Sequence, residues 1–152
     1  MHRAPISMLL LPLGLALAAC AAGGAHGTDS ASSAGSASVS GAIQLGNQAP
    51  PALRVCAMPV VGGSSRCVDT AAGATSYRID GLAAGDYHLM GWVQRGDLRL
   101  LAHANAIRCI RAPCPPDTLI EVAVAAGAAV TGIDLNAAYG EIPSGWPQQP
   151  AR

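Results

Sequence analysis

Residues 77 to 93 read Tyr77-Arg78-Ile79-Asp80-Gly81-Leu82-Ala83-Ala84-Gly85-Asp86-Tyr87-His88-Leu89-Met90-Gly91-Trp92-Val93. Tyr77 and Ile79, then Tyr87, Leu89, Gly91 and Val93, recur every second residue, the period of a half-buried strand. The same period appears upstream in Val39, Gly41, Ile43 and Leu45 and in Leu53, Val55 and Ala57. Downstream it returns in Leu98, Leu100 and Ala102, in Ile120, Val122 and Val124, and in Val130, Ile133 and Leu135, where Gly132 breaks the phase and suggests a bulge. Seven or eight short strands separated by Gly and Pro turns, with no helical stretch, predict an all-β fold, a small antiparallel β-sandwich.

One hairpin can be registered from the sequence. A two-residue turn at Gly96-Asp97 pairs Val93 with Leu100, Gly91 with Ala102 and Leu89 with Ala104, matching apolar face to apolar face. The opposite face then carries His88, Met90 and Trp92 beside Leu101 and His103, and is expected to meet solvent.

Outward from these strands the composition changes. Ala21 to Ser38 is almost wholly Ala, Gly and Ser, and reads as a flexible tether of about 25 Å. Pro143 to Arg152 reads as a Pro-rich extended tail, leaving residues 39–142 as the foldable domain. Residues 1–19 read as an export signal: Arg3, an apolar run from Ile6 to Leu17, then small residues. The run is too short to cross a bilayer.

Leu17-Ala18-Ala19-Cys20 resembles the bacterial lipobox. That resemblance implies cleavage before Cys20 and acylation of its thiol, which would anchor the chain in a membrane. Ala21 and Ala22 after the cysteine resemble the outer-membrane default of such lipoproteins. Cleavage removes Arg3, so 8 Arg face 9 acids and the mature formal charge is −1. Every one of the nine basic residues is Arg, so there is no polybasic patch and nucleic acid is not an expected partner.

Cys56, Cys67, Cys109 and Cys114 remain, an even number for an oxidising compartment. Two disulfides are expected, with three possible connectivities. Pairing Cys56 with Cys67 and Cys109 with Cys114 is the simplest, because each pair brackets a turn-rich segment. Each bridge is then worth about 2 to 3 kcal/mol.

Val39-Ser40-Gly41-Ala42-Ile43, the Gly81-Leu82 and Gly85-Asp86-Tyr87 steps, and Val130 to Leu135 are similar to the carboxypeptidase regulatory-like, or prealbumin-like (transthyretin-like), β-sandwich. The resemblance spans about residues 39 to 136. Within the motif Gly81 and Gly85 permit turn dihedrals, Leu82 plugs the core end, and Tyr87 enters the core with its hydroxyl towards the rim. The resemblance implies a non-catalytic module that binds, spaces or supports. The two cysteine pairs and the Asn105 to Asp117 insertion depart from the family pattern.

Several residues could carry chemistry. His88, Met90 and His103, brought together by the hairpin register, have donors that suit copper, although the plainer reading is a solvated sheet face. Arg95-Gly96-Asp97 resembles an adhesion tripeptide, yet Gly-Asp is what a tight turn needs. A Cys109–Cys114 ring stiffened by Pro113, Pro115 and Pro116 would display Ile110 and Arg111 in one shape, or simply staple a long loop. No G-x-S-x-G, H-E-x-x-H or phosphate loop occurs, so no cofactor and no catalytic residue is expected. The sequence therefore predicts a lipid-anchored envelope module whose partner is another envelope protein or a glycan. Its binding surface is expected on the face of His88, Met90, Trp92, Leu101 and His103, or in the loop around Arg111.

Overall fold

β1 (Ala37–Ala42) is the middle strand of a three-stranded sheet, flanked by β4 (Ser76–Leu82) antiparallel and β10 (Ala129–Val130) parallel. The computed structural model describes residues 36–107 and 109–151. The signal segment, Cys20, most of the tether and Arg108 lie outside the described residues. The larger sheet runs β11 (Ala137–Tyr139), β6 (Leu100–Ala102), β5 (Gly85–Val93), β2 (Leu53–Pro59) and β3 (Arg66–Thr70), with β9 (Val122–Val124) continuing the β6 side along the start of β5. β7 (Ala104–Asn105) and β8 (Thr118–Leu119) form a short ribbon. No described residue is helical. The chain is an all-β sandwich, as its two-residue period predicts.

The period works as expected on β4: Tyr77 and Ile79 are buried while Ser76, Arg78 and Asp80 face water. They join Val39 and Leu82 in packing against Leu53, Val55, Ala57, Leu89 and Leu101 of the larger sheet. Each such side chain removed from water contributes roughly 1.5 to 3 kcal/mol. Gly41 lets β1 approach the segment after β10 closely, because a Cβ there would collide with the main chain of Ile133. The Tyr77 hydroxyl donates to the Ile133 carbonyl at 2.6 Å and ties β4 to the same segment. The glycine turn also follows its reading. Gly81 has φ +78° and Gly85 +155°, Leu82 and Tyr87 are buried, and the Tyr87 hydroxyl donates to the Ala83 carbonyl at 3.1 Å.

Three expectations are corrected. Among the described residues there are eleven short strands in place of the seven or eight expected. β3, rich in polar residues, carries no alternation to read; the expected Val130 to Leu135 strand ends at Val130, before Gly132 at φ +76°, and resumes only as the Ile43–Leu135 bridge.

The hairpin register is shifted by one residue. Met90 pairs with Ala102, Gly91 with Leu101 and Trp92 with Leu100, while Val93 N–H donates to the Arg99 carbonyl, so Gln94 to Leu98 all lie in the loop. A one-residue slip exchanges faces. The sequence could not fix the phase because Leu100-Leu101-Ala102 is apolar in both.

The third correction follows. Met90 and Trp92 are 0% and 2% exposed, so the expected solvated face is a second core. There they pack with Cys56, Leu100, Ala102, Ala104 and Ala137 beneath Tyr139, Ile142 and Trp146. The C-terminal segment therefore belongs to the fold at least as far as Trp146, whose ring meets Tyr139 edge-on at 5.1 Å. Tyr139 in turn donates its hydroxyl to Asp117 at 3.1 Å.

Candidate functional site

The expected binding face does not assemble. His88 lies on the second-core side with Met90 and Trp92, whereas Leu101 packs into the core between the sheets. Strand alternation places His103 on the Leu101 side. Its Nδ1 donates to the Asp134 carbonyl at 2.8 Å, which assigns the ring proton to that nitrogen. His88 and His103 are thus on opposite faces, and Met90 is inaccessible. No group of three or more His, Cys, Asp or Glu is placed to hold a metal among the described residues. His88 is half-buried, and burial lowers its pKa against the opposing pull of Glu121.

The cysteines pair locally. Cys56 and Cys67 are direct cross-strand partners on β2 and β3, and their bridge sits on the second core. Cys109 and Cys114 close a small ring within the loop between β7 and β8. Asp117 fixes the base of that loop: one carboxylate oxygen accepts from Ile107 N–H at 2.8 Å and the other from the Tyr139 hydroxyl. Burial and the hydrogen bond to Asp117 push the Tyr139 pKa up to about 12. The ring holds Ile110 at 101% relative exposure, with Arg111 exposed beside it. Of the expected surfaces, the Arg111 loop is the one left accessible.

Sequence reasoning missed a cleft of about 490 Å³ between the β2–β3 connection and the β4–β5 turn. Gly62, Gly63, Ser64 and Ser65 belong to the turn-rich segment bracketed by Cys56 and Cys67. Arg66, the first residue of β3, lines the same cleft. The available signal was an arginine next to a glycine-serine run, facing a second glycine turn at residues 81 to 85.

Comparison with known proteins yields no matching family model, no matching curated protein and no matching solved structure. What the fold defines is a class: a small all-β sandwich with two local disulfides, one in the sheet and one in an exposed loop.

Proposed function

We propose that the protein is a lipid-anchored module of the bacterial cell envelope, held to the membrane through Cys20. It has a prealbumin-like sandwich and a non-catalytic binding role. Its partner is another envelope protein, which docks on the Cys109–Cys114 loop. The observation that carries the binding role is Ile110: a fully exposed aliphatic side chain beside Arg111, in a disulfide-closed ring tied at its base to Asp117. A rigid ring loses little entropy on docking, and arginine is among the residues enriched at interface hot spots. The lipobox-like Leu17-Ala18-Ala19-Cys20 supports the address, and the glycine-turn motif supports the family resemblance.

The address is tested by the intact mass of protein taken from native membranes and alkylated without reductant. Acyl chains on Cys20 and no alkylated cysteine are expected; an unacylated chain would overturn the anchor. A photo-crosslinker placed at position 110 in those membranes tests the docking loop. It should trap one discrete protein that Arg111→Ala weakens, and unchanged trapping by that variant would reject the loop as the interface.

A further inference from the structure

We infer that the cleft between the β2–β3 connection and the β4–β5 turn binds a chain-terminal carboxylate, that of a peptide ending in an apolar residue. This site is separate from the Arg111 loop. Arg66 pairs with Ala57 across β2, and alternation from Cys67 turns its side chain towards β4. There the guanidinium lies over Gly81, where any Cβ would collide with Nη2, and Nε donates to the Asp80 carbonyl at 3.4 Å. The Arg66 side chain is exposed, so its guanidinium is reached from solvent as it lies over this turn.

Arg54 pairs with Asp69 at 3.5 Å and Arg78 with Asp80 at 2.8 Å; among the described residues Arg66, like Arg95, Arg99 and Arg111, has no carboxylate within ion-pair distance, and of these four it is the one that lines this cleft. Asp86 also borders the cleft; alternation turns its carboxylate away from the Tyr87 side, and its carbonyl is occupied by Val60 N–H. The guanidinium fork fits a carboxylate bidentately. A single cation suits a monoanion better than a phosphate dianion.

The remaining surfaces fit a short peptide end. Among the described residues the main-chain amides of Gly62, Gly63 and Ser64 donate to no backbone group, leaving donors for a carboxylate or a peptide carbonyl. Leu82 and Tyr87 make an apolar floor, and the Tyr87 hydroxyl is engaged by Ala83. Ala83 and Ala84 complete the lining with methyl groups, an apolar surrounding that suits an apolar final side chain.

The test titrates the full chain with N-acetyl-trialanine bearing a free carboxylate, with its C-terminal amide, and with propionate, followed by amide chemical shifts. The free acid should saturate and shift Gly62, Gly63, Ser64 and Arg66, while the amide binds at least tenfold more weakly. Arg66→Gln should lose binding at least tenfold with an unchanged melting curve, and Arg66→Lys should recover part of it. The wild-type shift map decides the matter even where a variant misfolds. Equal binding of acid and amide, shifts elsewhere, or binding of propionate without the peptide would each overturn the assignment.

Discussion

The two faces of the larger sheet are buried by different means. The inner face is covered by a second sheet, whose own alternation matches it: Val39, Tyr77 and Ile79 against Leu53, Val55 and Leu89. The outer face, with Cys56, Met90, Trp92 and Leu100, is covered by Tyr139, Ile142 and Trp146, of which the last two lie beyond any strand. A face covered by a sheet gains from hydrogen-bonded strands that are themselves cooperative. A face covered by an irregular segment depends on a few side chains, and should open first.

The largest effect should come from the inner face. Leu89→Ala removes a fully buried side chain between the sheets and is expected to cost about 3 to 4 kcal/mol in urea unfolding. A cost below that of any outer-face substitution would reverse the ranking of the faces. Next comes the staple on the outer face. Replacing Cys56 and Cys67 together by Ala should cost about 2 to 3 kcal/mol, read as a fall in the denaturation midpoint.

Trp146→Ala should cost about 2 kcal/mol, because the ring is only partly buried, and should raise binding of a hydrophobic dye while the inner core stays folded. Loss of all structure at once would show that the two faces are one cooperative unit. Trp92→Phe sharpens the picture. The buried indole N–H finds no acceptor among the described residues, so removing it relieves a desolvation penalty that offsets part of the lost packing. A net cost of about 1 kcal/mol is expected by thermal melting.

The smallest effect is one of pH. Tyr139 has its pKa raised from 10.0 to about 12 in the fold, so the contribution of its protonated hydroxyl is complete below pH 10 and is lost as pH rises towards 12. The stability gap between wild type and Tyr139→Phe should be constant from pH 7 to 10 and shrink above it. A gap that widens with pH would mean the hydroxyl bond to Asp117 does not operate.

The contrast between the faces also explains what the sequence could and could not say. Tyr77 and Ile79 alternate with Ser76, Arg78 and Asp80 because the other side of β4 meets water, and that pattern is readable. Leu100-Leu101-Ala102 lies in a sheet buried on both sides, so either phase was apolar and the hairpin slipped by one residue in the reading. Burial of Met90 and Trp92 depends on Ile142 and Trp146, some fifty residues away, which no local period reports. The Cys109–Cys114 ring was legible because proline and cysteine announce themselves locally. Arg66 was not, because its environment comes from Gly81 on another strand.

The place of β1 has a mechanical consequence. The first described strand is bonded on both edges, to β4 and to β10, so a pull through the segment preceding Ala37 would load both rows of hydrogen bonds in shear. Strands pulled lengthwise must break many bonds together, whereas an edge strand peeled from its end yields one bond at a time. Tension entering at this end therefore meets the fold along its resistant direction.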